Sequence, residues 1–305
     1  MKKLIPTRYL LAMCTFSLSL LLYVDRVCIS AAKGPIAESL NLNDQQMGWV
    51  LSIFALGYAL FQTPGGLLSD KFGPRIALAS IVSFWSLFTA LTGAVWNFIS
   101  LLVVRFLFGA GEAGAFPGIS RAIYSWFPLK ERGIINGINF SGSRLGAAFA
   151  LPFVAWLITA TGWRMSFIIL GAIGIAWAVM WYWWFSNTPE EHAGISDDEK
   201  KYILEFRQQA SDTQEKAIPI SFNAIFSSGN MWLNMAQYFA SNFTFFFCLT
   251  WLLPHLKSKY ELELIDAGFY AAIPFLFGAF GNYFSGWLVD KIYKRGAWTR
   301  SRRIP

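Results

Sequence analysis

Four charged residues stand in stretches that are otherwise apolar enough to lie in a bilayer. Asp25 and Arg26 are adjacent in LLYVDRVCISAA, and Arg105 and Glu112 lie seven residues apart in RFLFGAGE. A charge at the bilayer centre costs about 3 kcal/mol on insertion scales, so such residues line a cavity or pair with each other. Desolvation favours the neutral form of a buried carboxylate, and a nearby arginine favours the ionised form. An acid whose arginine partner can leave is therefore a proton switch. This chemistry assigns Asp25 and Glu112 to proton loading and Arg105 to the partner that expels the proton. Arginine stays charged and meets carboxylates bidentately, which assigns Arg26 to an organic anion. Consecutive helical residues point about 100° apart, so Asp25 and Arg26 face different neighbours. A structural ion pair that fixes helix register is the alternative for Asp25 with Arg105.

The elements that must hold these groups are long apolar helices. Hydrophobic residues make up 55% of the 305 residues and charged ones 14%, against about 25% charged in a soluble domain. There are 29 Phe and 14 Trp, and the mean hydropathy is +0.43. Several apolar runs exceed about 18 residues, the length that crosses a bilayer core. The composition is that of a polytopic membrane protein, with the lipid bilayer as its partner and no nucleic acid implied by the net charge of +7. Cys14, Cys28 and Cys248 sit in apolar segments without metal-ligand spacing and read as free thiols. The first apolar run is too long for a signal-peptide core and reads as a transmembrane helix.

Eight spans are expected, at roughly 9–30, 46–68, 76–95, 98–124, 134–158, 163–185, 230–254 and 264–289. The polar stretch 187–228 is an extramembrane, partly helical linker. It divides a six-helix half, 1–186, from a second portion, 229–305. With the N-terminus inside, thirteen lysines and arginines fall in short inner segments, from Lys2, Lys3 and Arg8 to Arg302 and Arg303. Four fall outside: Lys33, Arg164, Lys257 and Lys259. This asymmetry puts the N-terminus and linker in the cytoplasm. Trp96, Trp126 and Trp163, near span ends, read as interface anchors. An internal repeat is also visible. Gly48 to Lys71 aligns without gaps on Gly268 to Lys291, with eight of 24 positions identical, including the closing G-x-L-x-D-K. Spans two and eight are then equivalent elements of two related halves.

Depth follows from a rise of about 1.5 Å per residue. Glu112 falls near the midplane, with Arg105 about 10 Å further out on nearly the same helix face. Asp25 and Arg26 sit about 8 Å to the outer side, level with Arg105.

GLLSDKFGPR, Gly66 to Arg75, matches the loop signature G-x-L-x-D-[RK]-x-G-x-[RK]. GWLVDKIYKRG, from Gly286, is a partial copy after span eight. Together they resemble the major facilitator superfamily. LLYVDR, FALGYALFQTPGG, RFLFGAGEAGAFP and WFPLKERG resemble its anion:cation symporter branch, which includes bacterial galactonate, glucarate and hexuronate carriers. The resemblance implies an all-α major facilitator fold: a complete six-helix half, plus the first two helices of the second half where the family has six. Four helices of the family pattern are thus expected to be missing, with any site residues they supply.

The resemblance further implies a proton-coupled symporter for a small organic anion, a sugar acid or related carboxylate. Such a carrier is a monomer of the inner (plasma) membrane. It is no enzyme and needs no cofactor or metal, its driving force being the proton gradient. It implies the same roles for Asp25, Glu112, Arg105 and Arg26. Tyr23 and Tyr58 are candidate hydroxyl donors to the substrate, with aromatic packing as their alternative; Gln62, Asn242 and Gln237 are further candidates. In the GSRLG of span five, Ser143 matches a polar position of the galactonate and glucarate carriers. Arg144 stands where those carriers tend to have an apolar or aromatic residue; it either adds a second anion contact or faces elsewhere. Gly66, Asp70, Lys71, Gly73 and Arg75 form a conformational latch, in which Asp70 would hold a helix N-terminus through its dipole. The family's partner for Asp70 lies on its eleventh helix. Asp290 and Lys291 form the second copy, able to meet span five, and Arg121 belongs to the latch region.

Other readings compete. A sugar-phosphate antiporter would use an arginine from each half, and span seven has no lysine or arginine. A membrane sensor would bind its ligand without moving it. A membrane enzyme lacks support, since neither H-E-x-x-H nor G-x-S-x-G occurs. A carrier short of four helices could also be inactive.

Overall fold

Where no water can satisfy the backbone, a long apolar run must bond to itself, and the chain does so as α-helix. The computed structural model describes residues 5–207, 223, 226–262, 264–296 and 299–300, and no strand occurs among them. The middle of the expected linker (208–222), Lys2, Lys3, Arg302 and Arg303 lie outside the described residues.

Span one is α1 (Thr7–Ala31), followed by a short helix that the hydropathy pattern did not indicate, α2 (Lys33–Leu40). Spans two and three follow one another within α3 (Asp44–Thr92), two helices separated by a kink at Gly73, whose φ of 74° and ψ of 160° are not helical. Only glycine tolerates that conformation without strain. The start of α3 is fixed by a capping box: the Asn43 side chain accepts from Gln46 N–H at 2.8 Å, and the Gln46 side chain accepts from Asn43 N–H at 3.0 Å. Span four is broken just past Glu112 into α4 (Phe98–Glu112) and α5 (Ala115–Trp126). Spans five and six are α6 (Arg132–Thr161) and α7 (Trp163–Trp184). The linker carries α8 (Asp197–Phe206). Span seven begins as α9 (Gly229–Phe247), passes through a π-helical stretch, Cys248–Leu252, and continues as α10 (Leu253–Tyr260). Span eight is α11 (Leu264–Lys294).

Five helices among the described residues are long and apolar enough to cross a membrane, and α3 alone holds two of the expected spans. A sixth, α6, qualifies as a pair bent by 46° just before Pro152, whose ring cannot continue a straight helix. The chain is a multi-pass membrane protein. It forms two compact units, one of residues 1–207 with 275–305 and one of residues 208–274. The division thus passes through α11 at Pro274 rather than following the linker alone.

In the first unit, helices approach through small residues, as expected where lipid offers no hydrophobic drive. A Cβ on Gly65 of α3 would lie 2.5 Å from Gly114 Cα, so neither backbone could come this close with a side chain there. Two of the expected interface anchors are not at the surface. Trp96 is 76% exposed, but Trp126 and Trp163 are buried. The Trp126 indole donates to Ser186 O at 3.0 Å and packs on Phe185 and His192. Nearness to a span end says nothing about which face a residue occupies, and these two face neighbouring helices.

The linker helix is tied to the helix starts. Glu199 accepts from the first free N–H groups of α1, Thr7 N at 2.8 Å and Arg8 N at 2.9 Å. Arg8 reaches Glu131, which precedes α6, at 3.2 Å, and Tyr202 donates to the same carboxylate at 2.6 Å. Burial, with the Glu131 carboxylate alongside, pushes the Tyr202 hydroxyl up to about 12, so it remains a donor. One cluster thus joins α1, α6 and α8.

Candidate functional site

The four charges that opened the sequence reading lie on two helices, α1 and α4, and all four are buried. Arg26 Nε donates to both carboxylate oxygens of Glu112, at 2.9 and 3.0 Å. Its Nη1 lies 3.4 Å from the Tyr23 hydroxyl. The guanidinium is walled by rings, with centroids 4.6 Å away for Tyr58, 4.8 Å for Tyr23 and 5.1 Å for Phe54. Such ring faces attract a cation in a dry site. Nη2 is buried without a hydrogen-bond partner among the described residues.

Asp25 turns the other way, as the 100° step requires. Its Oδ2 accepts from Trp85 Nε1 at 3.2 Å, and its Oδ1 is buried without a partner. Arg105 stands within electrostatic reach of Asp25 and Glu112, yet it makes no ion pair with either within 4.0 Å. Its guanidinium lies 4.3 Å from the Phe108 ring, and its Nε has no partner among the described residues. The depth estimate set Glu112 below Arg26; the length of the arginine side chain closes that gap.

Trp85 and Phe54 complete the site and escaped the sequence reading. The signal for Trp85 was an indole N–H in the middle of span three, since a buried indole seeks an acceptor. Phe54 carried none: a phenylalanine in an apolar run is indistinguishable from packing until the fold sets it beside Arg26.

The other candidates are distributed. Tyr58 and Gln62 are half-buried on α3, and Tyr58 stacks on Phe54 at 5.8 Å. Ser143 Oγ turns back to Phe140 O of its own helix at 2.8 Å. Arg144, half-buried on α6, runs beside Gly278 of α11 and is an electrostatic neighbour of Tyr23. Gln237, exposed, and Asn242, half-buried, lie on α9 in the second unit, where Asn242 donates to Tyr238 O at 2.9 Å.

The latch residues gather at the end of the first unit that carries the N-terminus of α1. Asp290 accepts from Gly133 N at 3.0 Å and Ile134 N at 2.7 Å, capping α6 with both oxygens. Negative charge is favoured there by the helix dipole. Asp70, exposed, faces the half-buried Arg121 at 3.7 Å. Arg75 donates through its backbone to Asn187 Oδ1 at 2.9 Å and through Nε to Tyr182 O at 2.8 Å. Gly73 holds the turn against the Asn187 side chain, and Gly66 lies beside Pro117. Lys71 and Lys291 each lie over an aromatic ring, Phe72 and Trp287.

Comparison with known proteins agrees with this architecture. Residues 15–302 match the Major Facilitator Superfamily model. The chain is 35% identical, over 97% of its length, to a probable sulfoacetate transporter of Cupriavidus necator. It is 37% identical, over 92% of its length, to a probable L-galactonate transporter of Escherichia coli. It spans 68% and 62% of those two proteins' own lengths. Among solved structures, a bacterial homologue of the human lysosomal transporter Spinster, inward-facing and unoccupied, matches with a TM-score of 0.68 at 25% identity. That match covers 95% of this chain and 64% of the other. The curated relatives are transporters, not enzymes. The chain belongs to the major facilitator superfamily.

Proposed function

We propose that the protein is a proton-coupled symporter for a small organic anion, a sugar acid or related carboxylate. The observation that carries the reading is the Arg26–Glu112 pair. Glu112 occupies the Arg26 donor that an incoming carboxylate would need. Substrate and Glu112 therefore compete for one guanidinium. A proton from outside that neutralises Glu112 frees Arg26, the anion binds it, and both ligands travel together. After the anion leaves on the inner side, Glu112 gives up its proton and reclaims Arg26. Asp25, with one unpartnered oxygen, is a second proton site, and Arg105 is the cation able to pair with it when the helices shift. Tyr23 and Tyr58, beside Arg26, supply hydroxyls to the substrate, Ser143 a further hydroxyl and Gln62 a side-chain amide.

The names of the relatives support an organic anion, and the excess of basic residues in the short inner segments supports a cytoplasmic N-terminus in the plasma membrane. The Asp290 cap on α6 acts as the inner latch, broken when the carrier opens inward. It works as a monomer and draws its energy from the proton gradient, without a cofactor. The test is uptake into liposomes under an imposed pH gradient. Glu112→Gln is expected to abolish gradient-driven accumulation while leaving substrate exchange; accumulation at the wild-type level would refute the coupling.

A further inference from the structure

Trp85 has no part in the competition for Arg26, yet its indole makes the hydrogen bond that holds Asp25, Nε1 to Oδ2 at 3.2 Å. We propose that Trp85 is a positioning residue for proton coupling. Its N–H keeps the Asp25 carboxyl apart from Arg105 and lets it carry a proton there. This deepens, and rests on, the reading of Asp25 as a second proton site.

The donor is fixed by two neighbouring helices. Trp85 is fully buried in the second half of α3. Gly111 of α4 lies against its backbone, where a Cβ would fall 3.2 Å from Trp85 N and 2.5 Å from Phe84 Cδ1. Gly171 of α7 lies against the residues that follow, where a Cβ would fall 2.6 Å from Ser86 O and 2.7 Å from Ala90 Cβ. Glycine at both contacts lets the backbones close on one stretch of α3. The indole is therefore carried by a segment with little room to shift, while Asp25 arrives from α1. Gly111 also precedes Glu112. Trp85 thus bonds one carboxyl through its side chain and bears on the turn that carries the other through its main chain.

A neutral donor suits a carboxyl that changes its charge. The indole offers one N–H and no charge. Ionised Asp25 accepts that bond at Oδ2. Protonated Asp25 still accepts it there, with the proton on Oδ1, which is buried and has no partner among the described residues. The titratable groups that act on Asp25 are Arg105 and Glu112 of α4 and Cys28 of its own helix. None of them replaces the indole as a bonded partner, and a guanidinium would favour only the ionised form. Asp25 therefore has two alternative partners: Trp85, which serves both protonation states, and Arg105, which serves one. Turning from the first to the second releases the proton to the open side.

Infrared difference spectra of the purified whole protein in lipid nanodiscs, recorded on acidification, test this without any substrate. The carboxyl C=O band that disappears in Asp25→Asn belongs to Asp25. Trp85→Phe keeps an aromatic ring and removes the N–H. Benzothienylalanine introduced at position 85 keeps the shape of the indole, with sulfur in place of the N–H. Both replacements are expected to move the Asp25 band to higher frequency, because its carbonyl loses a donor. Both should also move the pH at which the band appears by about one unit or more, since a hydrogen bond weighs differently on the two protonation states. A folded variant whose band keeps the wild-type frequency or the wild-type pH overturns the inference. It is equally overturned if neither replacement folds, since Trp85 then only packs the helices. Absence of an Asp25 band in the wild type would remove Asp25 as a proton site together with this inference. The exchange of Glu112 and substrate at Arg26 is untouched by these outcomes and is judged by the uptake test.

Discussion

Arg26 and Glu112, 86 residues apart in the chain, share a single buried N–H: Nε lies 2.9 and 3.0 Å from the two carboxylate oxygens. Removing one partner of a buried pair leaves the other charged and alone, which costs about 3–5 kcal/mol. Glu112→Ala is expected to lower the thermal midpoint of the protein in detergent markedly, and Glu112→Gln, which keeps an acceptor, much less. Equal midpoints for the two variants would show that the pair does not hold the helices together.

The α6 cap gives a conformational prediction. Asp290→Asn keeps the size of the side chain but removes the charge facing the Gly133 and Ile134 N–H groups. Charge-assisted bonds are roughly twice as strong as neutral ones. The variant should open more readily at this end, seen as faster labelling of a cysteine introduced at Gly137 on the α11-facing stripe. An unchanged labelling rate would exclude Asp290 as a latch.

Glu199 caps α1 from the linker. Glu199→Ala should cost about 0.5–2 kcal/mol, the usual range for a lost N-cap, and should speed proteolysis of the linker. Tyr202→Phe removes the bond to Glu131 from the same cluster. The Tyr202 hydroxyl titrates at about 12 in the folded protein and near 10 in an unfolded chain. Its contribution is therefore full below about pH 10 and fades as pH rises toward 12. A midpoint difference between wild type and Tyr202→Phe that is constant from pH 7 to 12 would contradict this.

Gly73 takes a φ of 74°, and a Cβ there would lie 2.6 Å from Asn187 Oδ1. Gly73→Ala is expected to destabilise by about 1–3 kcal/mol through backbone strain. Asn187→Ala in addition should relieve the collision but not the strain, so the double variant should recover only part of the loss in a thermal-shift measurement.

The spans were legible because hydropathy alone identifies a helix in lipid: a backbone with no water must bond within itself, whatever its neighbours. The break after Glu112 was not, since it depends on which backbones meet, whereas the kink at Gly73 falls in the loop expected between spans two and three. Gly65 and Gly114 are two unremarkable glycines until their helices touch. Trp126 and Trp163 were misread for the same reason, because sequence distance to a span end carries no angular information.

By itself the sequence showed that Asp25, Arg26, Arg105 and Glu112 stand within apolar runs long enough to cross a membrane, where a charge is costly unless it is paired. It also determined the family, through the two loop signatures at equivalent helix exits. Only the tertiary structure decided the partners. It gave Glu112 to Arg26, Trp85 to Asp25 and Phe108 to Arg105. Pairing is set by the rotation of each helix and the reach of each side chain, and neither is fixed until the helices pack.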